Sequence, residues 1–215
     1  MRIAVAGGHG QIARRFGELA TPDHEVIGLI RDPGQSGDLE AVGMSALALD
    51  LEDANTNEVA QAVAGCDALV FSAGAGPGSG PARKETVDYG GAVKCIDATV
   101  QAGVRRFLMV SAMGTDDPPK DDSVFSVYLR AKAGADNHLI DSPLDWTIVR
   151  PGRLTDEAPT GRVHIDRHVP RGNVPRADVA AVLLECLHSD ETVGAVFELV
   201  AGDTPIPEAV ASVAD

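Results

Sequence analysis

The stretch Met1–Gly17, MRIAVAGGHGQIARRFG, decides the fold. Ile3, Ala4, Val5 and Ala6 form a short apolar run, Gly7-Gly8-His9-Gly10 follows, and Ile12, Ala13 and Phe16 then recur at helical spacing. That order reads as a buried strand, a tight glycine turn and a helix N-terminus. The first turn of such a helix carries unpaired backbone N–H groups and the positive end of the helix dipole, which together suit a pyrophosphate. Gly7, His9, Gly10, Gln11 and Ile12 are therefore candidate cofactor-binding residues. A plain strand-to-helix turn uses the same residue types, so the rest of the chain has to decide.

Strand-like and helix-like segments alternate from there on. Apolar runs at 25–30, 44–49, 67–73, 106–110 and 146–149 read as strands, with a short one near 163–165 and another at 195–199. Helical patterns cover about 55–64, 82–102, 125–141 and 176–188, and a short tail helix ends the chain. Strands apolar on both faces, alternating with helices, predict an α/β fold: a Rossmann-type doubly wound parallel sheet in three α/β/α layers. The 215 residues fit one domain, 1–215, with a small substrate-side segment from about 151 to 215. Ligands in such sheets sit at the carboxyl ends of the strands. The informative positions are thus the glycine turn, Arg31, Asp50, Ala73-Gly74, Ser111 and Pro151-Gly152.

The formal net charge of −14 argues against non-specific nucleic-acid binding and against attraction to anionic membranes, since both need basic surface. An anionic cofactor must then be held by locally placed positive groups. No apolar run is long enough to span a bilayer. Met1-Arg2 leads directly into the first strand, leaving no room for a targeting peptide, and Cys66, Cys95 and Cys186 read as buried thiols of a reducing compartment; the expected location is cytoplasmic. His164 and His168 flank Asp166 in a strand–loop context that does not put them on one helical face, so no metal site is expected.

At the end of the second strand an NAD site places an acid on the ribose, whereas an NADP site needs a cation for the 2′-phosphate. Arg31 comes first here, with a planar fork that matches phosphate, and Asp32 follows. The expected cofactor is NADP (NADPH), with NAD less favoured; the alternative is a solvated Arg31 with Asp32 on the ribose. Asp50 and Leu51 fall along the adenine edge, although Asp50 also suits an ordinary helix N-cap. Ala73 and Gly74 supply small side chains where the sheet approaches the cofactor.

Tyr128 and Lys132 stand four apart on a helix and so share a face. A phenol with a pKa near ~10 is a poor acid–base group at neutral pH, and a neighbouring ammonium favours the phenolate. With two tyrosines and four lysines in the chain, chance pairs at this spacing number roughly 2 × 4/215, or ~0.04. A tyrosine packed beside a solvated lysine is the plainer alternative.

With these residues in place the chain resembles the short-chain dehydrogenase/reductases, specifically the atypical NAD(P)H-binding branch related to NmrA-like and epimerase-like proteins, over essentially its whole length. The carriers are Gly7 to Ala13, Arg31, Asp50-Leu51, Ser111, Tyr128 to Lys132, Arg150-Pro151-Gly152 and Arg176 to Ala180. The resemblance implies NADP binding, Tyr128 as acid–base, Lys132 as its pKa-lowering partner that also reaches the cofactor, and Ser111 positioning the substrate carbonyl or hydroxyl. Pro151 joins the cofactor-binding set. Ala13 replaces the family's third glycine, and Asp88 stands where its catalytic tetrad has an asparagine.

The expected function is an NADP-dependent oxidoreductase passing a hydride between nicotinamide and a small carbonyl or alcohol, with Tyr128 as acid–base. A non-catalytic NADP redox sensor and an NAD(P)-dependent epimerase remain as alternatives. The expected partner is a small-molecule substrate, and the helical faces leave a homodimer open.

Overall fold

The computed structural model describes residues 1–76 and 78–214; Pro77, in the glycine-rich stretch of sequence 74–80, and Asp215 lie outside the described residues. Strands β1 (Arg2–Ala6), β2 (Glu25–Ile30), β3 (Ser45–Ala48), β4 (Ala68–Phe71), β5 (Arg106–Val110) and β6 (Asp145–Pro151) pair in parallel in the order β3-β2-β1-β4-β5-β6. The order reverses between β1 and β4, which makes the mouth above that junction the place for a ligand. Both faces of the sheet are apolar because successive side chains alternate. Ile3 and Val5 join one buried cluster and Ala4 and Ala6 the other.

Helices cover both faces. α1 (Gln11–Ala20) buries Ile12, Ala13, Phe16 and Ala20 on one face. On the other lie α3 (Thr56–Val63), which follows the short α2 (Ser36–Glu40), and the long helical run after β4. Asn55 and Glu58 form a reciprocal capping box at the start of α3. The expected N-cap reading of Asp50 is therefore corrected: its side chain accepts from the Glu52 N–H in a local turn, 2.9 Å.

The helix read at 82–102 is interrupted. It begins as α4 (Pro81–Arg83), widens into a π-helical segment over Lys84–Gly91, and resumes as α5 (Ala92–Gln101). The widened turn includes Gly90 and Gly91 and carries Asp88 into the interior. Spacing counted on a regular helix cannot foresee that phase shift.

α6 (Val124–Ile140) leads into β6. The last third adds β7 (Arg153–Thr155), β8 (Arg162–Asp166), β9 (Asn173–Pro175), α7 (Arg176–His188), β10 (Ala195–Ala201), β11 (Thr204–Pro205) and α8 (Ile206–Ala211). β10 extends the sheet in parallel beside β6, whereas β8 runs antiparallel to both of its neighbours, β10 and β11, so the sheet is mostly rather than wholly parallel. β7 and β9 make a separate two-stranded ribbon in a stretch that reads as irregular from sequence. Among the described residues no helix is long and apolar enough to cross a membrane, and all three cysteines are free and buried.

The close contact between β1–α1 and β2 depends on Gly8. A Cβ there would stand 2.5 Å from the Gly28 Cα, a backbone atom that cannot rotate away. Gly8→Ala is therefore expected to destabilise the fold by about 1–3 kcal/mol, the range for overpacking, read as a lowered urea midpoint. An unchanged midpoint would contradict this packing.

Candidate functional site

The glycine turn is built to receive an anion. Gly7 takes φ of 78° and would put a Cβ 2.6 Å from the Ala73 Cα. Gly10 is the N-cap of α1, no side chain caps that end, and no acidic residue occupies the first turn. Its leading N–H groups are thus left for a ligand, as a pyrophosphate requires.

A cavity of about 270 Å³ opens in front of this turn, lined by Gly7, His9, Gly10, Arg31, Asp50, Leu51, Ala73 and Gly74 together with residues the sequence reading missed, among them Glu52 and Arg83. Arg31 lies 3.7 Å from Glu52, and Glu52 also accepts from Arg83 and from Thr86 at 2.7 Å. Those bonds, Arg83 first, hold the Glu52 carboxyl below the usual carboxylate range. Asp32 has turned away: its carboxylate accepts the Gly34 N–H at 2.9 Å and starts the short 3₁₀ turn Pro33–Gln35. His9 pairs with Asp38 at 2.7 Å. The cation at the end of β2 therefore faces the cavity, and the acid beside it does not.

A second cavity of about 560 Å³ shares Ser72, Ala73 and Gly74 with the first, so the two are continuous at the end of β4. Ile12, Asp88, Ser111, Tyr128 and Lys132 line it, with Val124, Phe125 and Leu154 giving it an apolar wall. Phe125 is 62% exposed at this edge, unusual for so large an apolar side chain. Gln11 and Pro151 line neither cavity. Gln11 is an exposed first residue of α1, and Pro151 is buried at the end of β6 with its carbonyl accepting the Met113 N–H.

The charged floor of the second cavity is nearly dry. Asp88 is 1% exposed and sits between two ammonium groups, Lys84 Nζ at 3.9 Å and Lys132 Nζ at 3.8 Å. Its carboxylate also accepts the Ala75 N–H, and Gly74 leaves room for it: a Cβ there would stand 3.0 Å from Asp88 Oδ1. Lys132 donates to the Val110 carbonyl at 3.0 Å, and Lys84 donates to the Gly76 carbonyl while lying 5.3 Å above the Tyr128 ring. Burial pushes the Lys132 ammonium below its ordinary pKa.

Tyr128 departs from expectation in one respect. Burial, then the carboxylates of Asp88 and Asp136, push its phenol well above the ordinary value. Lys132 does not bring it down, because its ammonium is directed at Val110 and Asp88. The phenol therefore rests in its protonated form, which has a hydrogen to donate.

Ser111 ends β5, and its hydroxyl donates to Asp136 at 2.9 Å. Asp136 also receives Arg150, whose second arm reaches Asp116. The loop at 115–122 is correspondingly tethered rather than free, since Arg130 also donates to the Pro119 and Asp121 carbonyls. Asp136 is four residues beyond Lys132, so the step that links Tyr128 to Lys132 could have found it. Nothing in linear spacing points to Glu52, Arg83 or Lys84, which reach the cavities through the widened helical turn and a loop contact. Asp178, in the late Arg176 to Ala180 stretch, accepts from Thr160 and Gly161 and fastens the loop before β8.

A family model described as NAD(P)H-binding matches residues 7–190. YhfK of Bacillus subtilis, named an uncharacterized sugar epimerase, is 38% identical over 212 residues, covering 98% of this chain and 99% of its own. A solved structure from Bacillus halodurans, provisionally named an NAD-dependent epimerase/dehydratase, superposes with a TM-score of 0.92 at 38% identity over 99% of both chains. ChuY of Escherichia coli O157:H7, described as an anaerobillin reductase, gives a TM-score of 0.79 at 26% identity, with 94% of this chain and 98% of that one covered.

Proposed function

The chain belongs to the NAD(P)H-binding family, and we propose that within it the protein is an NADPH-dependent reductase of carbonyl substrates. The observation that carries this reading is the continuity of the two cavities at Ser72–Gly74: one has the uncapped helix end and Arg31, the other has Tyr128, Lys132 and Ser111.

The α1 N-terminus and Gly7–Gly10 would hold the pyrophosphate, Arg31 the 2′-phosphate, and Lys132 the ribose on the nicotinamide side. When bound, NADPH supplies a hydride. Tyr128 donates the proton that a reduced carbonyl oxygen needs, and Ser111 orients that oxygen. The apolar wall of Val124, Phe125 and Leu154 favours a substrate with an apolar body.

The protonated phenol also favours one direction. Reduction needs a donor, whereas epimerisation through transient oxidation must begin with a base that removes a hydroxyl proton. A phenol that burial and the Asp88 carboxylate keep protonated starts in the form that reduction uses and not in the form that transient oxidation needs.

The test is consumption of NADPH with vicinal diketones, aromatic aldehydes and quinones. Net oxidation of the cofactor is expected with at least one class. Tight NADPH binding with no oxidation across the panel would reject the reductase in favour of a sensor.

A further inference from the structure

Asp136 lies beneath the site and not in the cavity lining: its side chain is only 1% exposed and touches the serine at the centre of the site. Three donors converge on one of its oxygens. Oδ2 receives Ser111 Oγ at 2.9 Å, Arg150 Nε at 3.1 Å and Thr115 Oγ1 at 3.3 Å. Oδ1 is buried with no hydrogen-bond partner. A buried carboxyl with one oxygen unpaired is an uncommon arrangement, since buried polar atoms are almost always paired.

The chemistry of a hydroxyl next to a carboxyl has two states. An ionised carboxylate can only accept, so the single hydrogen of Ser111 is spent on Asp136 and only oxygen lone pairs remain for the cavity. A neutral carboxyl whose hydrogen sits on Oδ2 can give it to Ser111 Oγ, while Oδ1 becomes a carbonyl oxygen and the serine hydrogen is released. A carbonyl oxygen needs the released hydrogen and is repelled by the lone pairs.

We propose that Asp136 is the positioning residue of Ser111, setting whether the serine offers the cavity a hydrogen or a lone pair, so that a carbonyl oxygen is accepted when Asp136 is neutral and refused when it is ionised. This rests on the reductase reading for its consequence in turnover, but the Ser111–Asp136 coupling stands apart from it.

The groups around Asp136 pull in opposite directions. Arg150 faces it from β6 and is itself shared with Asp116, which His168 approaches to 3.9 Å. Lys132 lies one turn earlier and Tyr128 two turns earlier on the same helix, and from β5 and the following loop only the hydroxyls of Ser111 and Thr115 meet it. Burial raises the carboxyl above the ordinary carboxylate range, opposed by the Ser111 hydrogen bond, Arg150 and Lys132. The sign follows: Asp136 is neutral on the acid side of its titration, where Ser111 is a donor, and ionised on the alkaline side, where it is not.

Infrared spectroscopy of the full chain labelled with ¹³C-aspartate tests the coupling without any turnover. A carboxylic C=O band is expected to persist above the pH at which ordinary aspartates ionise, to vanish in Asp136→Asn, and to shift in frequency in Ser111→Ala. In parallel, NADPH oxidation by diacetyl or phenanthrenequinone is expected to fall about tenfold per pH unit on the alkaline side of that band's titration. The alkaline fall is expected to be absent in Asp136→Asn, whose amide has no proton to lose in this range. The proposal is overturned if Ser111→Ala leaves the band unmoved, if Asp136 ionises with the ordinary aspartates, or if Asp136→Asn keeps the alkaline fall. Should the native chain oxidise no NADPH at any pH, the reductase reading fails, and the band in Ser111→Ala still decides whether Asp136 governs the serine.

Discussion

Replacing Tyr128 by phenylalanine is expected to lower kcat by about 10²–10⁴-fold, the range for loss of a positioned proton donor, with NADPH affinity unchanged. The two effects separate because the phenol and the cofactor contacts do not depend on each other. Lys132, the nearby group suited to the ribose, takes its fixed contacts from Val110 and Asp88, not from the phenol. The Tyr128 hydroxyl opens on the cavity and is not one of the buried orphaned atoms, so its removal leaves no internal bond broken. The ring itself still packs beneath Lys84. Steady-state kinetics and a fluorescence titration with NADPH check both halves. A variant that keeps the native rate would mean that another group delivers the proton.

The second large effect concerns the choice of dinucleotide. Arg31→Ala is expected to weaken NADPH binding by about 10–100-fold, corresponding to about 1.5–3 kcal/mol for one charge-assisted bond. NADH affinity should not change, because the side chain has no role without a 2′-phosphate. The carboxylate of Asp32, which could have taken a ribose hydroxyl instead, is committed to the Gly34 N–H. Glu52 draws on Arg31 only at 3.7 Å and is already engaged by Arg83 and Thr86, so the Arg31 fork is 58% exposed and free to close on a phosphate. Calorimetric titration with both cofactors reads the difference directly. Equal affinity for NADPH and NADH, untouched by the substitution, would contradict the assignment of Arg31.

Much of the fold was legible because its determinants are local. An apolar run ending in Gly7–Gly10 admits few structures, and strands apolar on both faces demand cover on both sides. The parallel strands from β1 to β6 follow from those two facts. The antiparallel β8 and the β7–β9 ribbon do not, because short strands in a loop-rich segment are set by which edge of the sheet they meet. The site divides in the same way. Residues just past strand ends, such as Arg31, Asp50, Ala73 and Ser111, come together wherever a doubly wound sheet forms, so they could be named from position alone. Lys84 and Asp88 depend on the π-helical turn, and Glu52 with Arg83 on a contact between the loop after β3 and α4. The raised pKa of Tyr128 is likewise a tertiary effect: the sequence places an ammonium four residues away, but the folded chain buries the phenol, turns that ammonium elsewhere and sets the Asp88 carboxylate nearby.

The central claim is that a hydride leaves the cofactor for a carbonyl carbon and that Tyr128 completes the reduction. NADPH carrying deuterium at the transferring carbon, incubated with the native protein and whichever carbonyl compound supports oxidation, tests it most directly by mass spectrometry of the products. The expected result is one deuterium in the new C–H bond of the alcohol, with NADP⁺ accumulating in equal amount. Bound NADPH that keeps its deuterium while no NADP⁺ forms with any carbonyl compound would contradict the account.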